Sequence, residues 1–356
     1  MAEISSNLIK ELRERSGAGM MDCKNALTQT EGDIEAAINL LHEKGLGKAA
    51  KKADRLASEG LISVEVAGDF KAATISEINS ETDFVAKNEK FINLTKNVTS
   101  HIQSNDIPHM ESLQNSVIEG KNFTEYLNSQ IAAIGENLVV RRFITIKAND
   151  ETSAVNGYVH SNGRVGVILG AKCSSKEIAA KAADLLKNIA MHAAAMKPVY
   201  LSYTELSQEF VEKEFIAFKA NLEKENEEAR RLKKLEKKIP LYGSKAQLTD
   251  EVLAKAKANM EAELKAQGKP EKIWDRIIHG QIERFIADNT QLDQQYALLS
   301  QFYVMDESKT IGQVLKERGA ELGGSIEIVE YVRFELGEGL EKKVDDFAAE
   351  VAAQLN

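Results

Sequence analysis

Leu61 to Ile78, LISVEVAGDFKAATISEI, is the stretch that decides the fold class. Ile62, Val64 and Val66 alternate with polar neighbours, Gly68-Asp69 supplies a turn, and Ala72 to Ile78 resumes as a partner, so a period of two predicts a β-hairpin. A comparable layout returns at Gly157, with Tyr158-Val159-His160, a turn at Ser161-Asn162-Gly163, a strand from Arg164 to Lys172 and a helix from Ser175. The expectation is an α+β chain with two related sheet-plus-helix subdomains.

Upstream of the hairpin the period is helical. Leu8, Ile9 and Leu12 share one face, Gly17 and Gly19 allow a tight turn, and a second helix holds Met21 to Leu27. Gly32-Asp33 opens a third, in which Ile34, Ala37, Ile38 and Leu41 form a stripe that Gly45 closes. An N-terminal three-helix bundle is expected, followed by a basic linker helix from Lys48 to Ala57.

The four prolines, Pro108, Pro198, Pro240 and Pro270, mark further breaks. Between Val211 and Ile239, the residues Val211, Phe215, Phe218, Leu222, Ala229, Leu232, Leu235 and Ile239 recur near heptad spacing amid dense Glu, Lys and Arg. This predicts a long exposed helix of roughly 45 Å at 1.5 Å per residue. Pro240 to Ser244 would turn it into a second arm carrying Leu248, Val252, Met260 and Leu264, an inserted antiparallel helical hairpin. Such a seam would also suit a homodimer. Phe302 to Met305 and Ile326 to Leu336 read as strands, and Asp345 to Leu355 as a last helix. The expected division is a bundle and linker at 1–56, a first core subdomain at 57–150, and a second at 151–200 and 301–336. The hairpin insertion takes 201–300, and a short C-terminal helical module takes 337–356.

With 356 residues, 43% apolar and 28% charged, the chain has the length for two or three domains and the composition of a soluble globular protein. No apolar run is long enough to span a bilayer, and Met1-Ala2-Glu3-Ile4 carries an acid where a secretory signal would carry bases, so a cytoplasmic location and no membrane partner are expected. Cys23 and Cys173 lack metal-site spacing, and the six histidines are scattered singly. A net charge of −9 argues against general attraction to nucleic acid, and 6% aromatics against stacking platforms. No phosphate loop, dinucleotide fingerprint, nucleophile elbow or HExxH pair occurs. The expectation from these residues is a chain with no cofactor, no metal, no nucleotide or hydrolase signature of its own and no evident active site.

The strongest local oddity is Ile78 to Asn88, INSETDFVAKN. A strand ends, Thr82 or Asp83 caps the next helix, and Phe84 stands at that helix's start, where it either turns into the core or stays outside as a contact. For Met20-Met21, beside a Gly-Ala-Gly turn, core packing and an exposed adaptable contact are likewise both open.

Two segments carry a family resemblance: Arg13 to Lys24 (RERSGAGMMDCK), then Thr82-Asp83-Phe84-Val85-Ala86, resemble the two signatures of elongation factor Ts. Ile134-Gly135-Glu136-Asn137 with Arg141-Arg142, Met191-His192 before Lys197-Pro198, and Arg333-Phe334 before Gly337-Glu338-Gly339 follow in the family's order. The resemblance covers about 1–215 and 268–356. The charged segment between is longer than the family pattern, and Ser80 and Glu307 stand where a cysteine and a proline are expected.

The resemblance implies a guanine nucleotide exchange factor for elongation factor Tu, a partner whose GDP is released without bond chemistry. It assigns Arg13, Met20 and Met21 to contact with the partner's G domain, and Ile134 to partner binding. His160 would contact the partner's third domain, and Thr82, Asp83, Phe84 and Val85 would dislodge its Mg²⁺. A dispersed active site, or a scaffold role for residues 211–264, stays open as a competing reading.

Overall fold

The computed structural model describes residues 4–16 and 18–340. Helix and strand are mixed throughout, in keeping with the α+β expectation. Two compact units form, one from the chain up to Ala194 together with the segment from Ile328 onward, the other from Ala195 to Glu327.

The first unit opens with α1 (Ser6–Ser16), α2 (Met20–Gln29) and α3 (Ile34–Ala50), packed around Leu12, Cys23, Ala26, Leu27 and Ala37. The expected stop at Gly45 and the separate linker helix give way to one continuous α3. Gly45 is buried where this helix packs against the helix over Phe123–Ile134, and a Cβ there would make only an ordinary contact, 3.7 Å from Ala132, so packing carries the helix through the glycine.

β1 (Glu59–Val66) and β2 (Ala72–Ser80) form the hairpin read from sequence, antiparallel from Glu59 opposite Ser80 to Val66 opposite Ala73. After β2 come α4 (Asp83–Ala86), α5 (Glu89–Ser104), α6 (Met110–Gln114), the short strands β3 (Val117–Ile118) and β4 (Lys121–Asn122), and α7 (Phe123–Ile134). β5 (Val139–Lys147) then returns antiparallel beside β2, closing a sheet of order β1-β2-β5.

β6 (Ser153–Val159) and β7 (Val165–Cys173) make a second hairpin, followed by α8 (Lys176–Met196). Asn156 on β6 donates to the Ala183 carbonyl of α8 at 2.8 Å, which gives a buried amide a partner. Ile62, Ile75 and Ile146 of the first sheet meet Val155, Ile168 and Phe334 of the second, while Ile78 and Val140 pack with Phe91, Leu94, Val98 and Tyr126 of α5 and α7. β2 is thereby covered on both faces, which explains why its residues from Ala73 to Ser80 are all buried, polar ones included.

The second unit contains α9 (Gln208–Arg231), α10 (Asp250–Ala266), α11 (Trp274–Asp288), α12 (Gln291–Tyr296), β8 (Phe302–Tyr303), β9 (Asp306–Thr310) and α13 (Ile311–Glu321); β10 (Ile326–Glu335) then leads back to pair with β7. Three expectations are corrected here. The first arm ends at Arg231 rather than Ile239, because Lys233 turns left-handed at φ 55° and the Asn226 amide bonds both the N–H and the carbonyl of Lys237, folding the chain back. Leu235 is 97% exposed, so the heptad seam has no facing partner there. The helical hairpin itself is made by α10 with α11, whereas Tyr242 to Gln247 is tied down by Asn289 and Asp293. Val304 and Met305 form a turn between β8 and β9 instead of continuing a strand. The helix read at Asp345 to Leu355 lies outside the described residues.

Candidate partner-binding site

Thr82 stands between the end of β2 and α4, and its hydroxyl accepts from the Val85 N–H at 3.4 Å, capping that single turn. Val85 points inward and is buried among Ile78, Phe91 and Leu138. Phe84, one residue earlier on the turn, points the other way and is 79% exposed. The core alternative for this ring is therefore excluded. An aromatic ring left so bare on an ordered turn forgoes the burial that ordinarily favours it and leaves its apolar face to solvent.

The turn is held from below by the segment after α7. Gly135, left-handed at φ 96°, ends that helix and lets the chain reverse. Glu136 then accepts from the Glu81 N–H at 3.1 Å, the Thr82 N–H at 3.0 Å and the Thr82 hydroxyl at 2.6 Å. In return the Glu81 carboxylate accepts from the Asn137 N–H at 2.6 Å, and Arg55 lies 3.6 Å from it. The Asn137 amide reaches the carbonyls of Ala53 and Arg55 in the linker, and Lys52 donates to the Gly135 carbonyl. Ser80, where a cysteine is expected from the resemblance, donates to the Thr82 carbonyl at 3.0 Å.

Asp83 pairs with Lys87 at 2.7 Å, and that hydrogen bond holds its carboxyl below the ordinary range, with the Arg164 charge adding to the effect. Ile134 is partly buried on the same core as Val85, so it supports the turn from its apolar side. Arg13, Met20 and Met21 belong to another surface. All three are exposed at the corner of α1 and α2, the two methionines at 60% and 65%, which leaves them outside the bundle core. His160 is exposed on the turn from β6 to β7, with its ring nitrogen 3.2 Å from the Tyr158 hydroxyl. The residues named from sequence thus divide over three surfaces, and only Thr82 to Val85 and Ile134 converge on one.

Sequence reading missed Glu77. Its carboxylate, wholly buried in β2, accepts from Arg141 at 2.9 Å, from Arg142 at 2.6 Å and from the Gly337 N–H at 2.9 Å. Burial pushes this carboxyl upward, but the Gly337 N–H and the two guanidiniums outweigh it, and the net shift is downward. Arg142 also lies 4.1 Å over the Phe334 ring. The Arg141-Arg142 pair and the segment Arg333 to Gly339 therefore meet as a structural knot; a lone acid within a strand, with two consecutive arginines downstream, was the available signal. Among the described residues no group of three or more His, Cys, Asp or Glu is placed to hold a metal ion, and no helix is long and apolar enough to cross a membrane.

Comparison with known proteins decides the family. The sequence model described as Elongation factor TS matches residues 81–237 and 238–338. The chain belongs to the elongation factor Ts family. It is 65% identical to the elongation factor Ts of Campylobacter curvus (strain 525.92) over 353 residues, 99% of each chain. It is 57% identical to that of Helicobacter hepaticus (strain ATCC 51449 / 3B1) over 355 residues, 100% of each chain to the nearest per cent, and 57% identical to that of Wolinella succinogenes over a match of the same length. Because these matches run end to end, the long charged segment before α10 is spanned in the elongation factor Ts of all three. Membership places the chain in translation elongation, in the family of exchange factors for elongation factor Tu.

Proposed function

We propose that this chain releases GDP from elongation factor Tu by inserting Phe84 into an apolar pocket of the partner's G domain and disturbing the Mg²⁺ that holds the nucleotide. The observation that carries this reading is the 79% exposure of Phe84 on a turn whose neighbours on both sides are fixed. Mg²⁺ in a GTPase bridges phosphate oxygens, protein oxygens and waters at short, demanding distances, so a small displacement of its ligands weakens it. Burying the ring supplies about 2 to 3 kcal/mol, enough to shift a neighbouring element slightly.

The other two surfaces would supply affinity. Met20 and Met21, flexible and exposed beside Arg13, suit an adaptable contact with the G domain, and His160 suits a polar contact with the partner's third domain. Release then follows from linkage: the chain binds the nucleotide-free partner more tightly than the GDP form, and GDP weakens the chain by the same factor. Stopped-flow release of labelled GDP from elongation factor Tu tests this. Release should accelerate with chain concentration and saturate; release at the unassisted rate at every concentration would refute the proposal.

A further inference from the structure

We infer that Glu136 is the positioning residue of the Phe84 turn, the group that sets the direction in which the ring leaves the surface. The inference rests on the wedge reading of Phe84. α4 is a single turn of four residues, and one turn does not sustain itself, because fixing its dihedrals gains too few hydrogen bonds. Phe84 is too exposed for packing to orient it. Its direction must come from the residues on either side. Val85 supplies one anchor by burial, and the other is Thr82.

Every polar group of Thr82 is committed. Its N–H and hydroxyl go to Glu136, its carbonyl accepts from Ser80, and its hydroxyl oxygen also takes the Val85 N–H. One carboxylate thus holds the residue before the cap, the cap's backbone and the cap's side chain at once, and bonds to a charged acceptor are stronger than neutral ones. The Glu81 carboxylate reciprocates by taking the Asn137 N–H, so the two turns latch each other, and Asn137 is itself fixed to the linker carbonyls of Ala53 and Arg55. A ring presented by such a latch is ordered before the partner arrives, so binding does not have to order it. Without Glu136 the ring would remain, aimed loosely.

The test compares GDP release from elongation factor Tu for the intact chain, Glu136→Ala, Glu136→Gln, Phe84→Ala and the double variant Phe84→Ala/Glu136→Ala, at millimolar Mg²⁺ and with the ion chelated. Hydrogen exchange at the Glu81 and Thr82 amides is read in parallel. Glu136→Ala should slow release about tenfold or more at millimolar Mg²⁺, the scale on which misplacing a reacting group is felt, and far less in chelator. The double variant should be no slower than Phe84→Ala alone, because Glu136 acts through that ring; a merely stabilising residue would give multiplied defects. Glu136→Gln, which keeps the shape but loses one acceptor oxygen, should speed exchange at the two amides and fall between the intact chain and Glu136→Ala in rate. It carries the test if Glu136→Ala does not fold. Normal release by folded Glu136 variants, or multiplied defects, would overturn the inference while a Phe84→Ala defect left the wedge standing. Normal release by Phe84→Ala at millimolar Mg²⁺ would remove the wedge and this inference with it.

Discussion

Two carboxylates six positions apart do opposite work. Glu77 is buried, met by Arg141, Arg142 and the Gly337 N–H, and welds the segment after β10 to the first sheet. Asp83 is at the surface, paired with Lys87 beside the exposed ring. Because the folded carboxyl of Glu77 is lowered from its ordinary 4.5, its contribution to stability is complete above about pH 4.5 and is lost as pH falls through the folded value. Melting curves from pH 7 downward should show a steep acid loss in the intact chain and a flatter one in Glu77→Gln. At neutral pH, Glu77→Ala should cost on the order of 3 kcal/mol, since it leaves two guanidiniums without their buried partner. A neutral-pH melting temperature unchanged in Glu77→Ala would contradict this assignment.

At the scale of elements, the hairpin from Leu61 to Ile78 and the turn at Ser161-Asn162-Gly163 were legible because each rests on a local rule: alternation over a strand pair, and a glycine at φ 66° whose own N–H bonds back to His160. Thr82 as cap was legible for the same reason. The ends of α3 and α9 were not, because both are decided by distant partners. α3 continues through Gly45 because packing against α7 sustains it, and α9 stops because Asn226 captures the backbone of Lys237. Glu136 was quoted within a motif but given no role, since nothing local reveals that its carboxylate crosses to residues 81 and 82. The hairpin of α10 and α11 carries none of the residues assigned to exchange. Replacing residues 256–284 with a short flexible linker, which spares the Asn289 and Asp293 anchors of the Tyr242 to Gln247 segment, should leave most GDP release intact. Loss of release by a folded deletion variant would show that the hairpin takes part.

For the whole molecule, we propose that three separate surfaces serve one partner: the bundle corner and the β6–β7 turn would bind it, whereas the Phe84 turn would act on its metal. Binding and release are then separable by magnesium. The most direct measurement is GDP release from elongation factor Tu by Phe84→Ala, at millimolar Mg²⁺ and again with the ion chelated. An exposed ring contributes little to the fold, so the variant's melting temperature should match that of the intact chain. With Mg²⁺ present its release should slow by on the order of 30-fold or more, the factor equivalent to the roughly 2 kcal/mol of lost ring burial. In chelator, where the wedge has nothing left to displace, the two chains should release GDP at nearly the same rate. An equal defect in both conditions, from a folded variant, would contradict the claim.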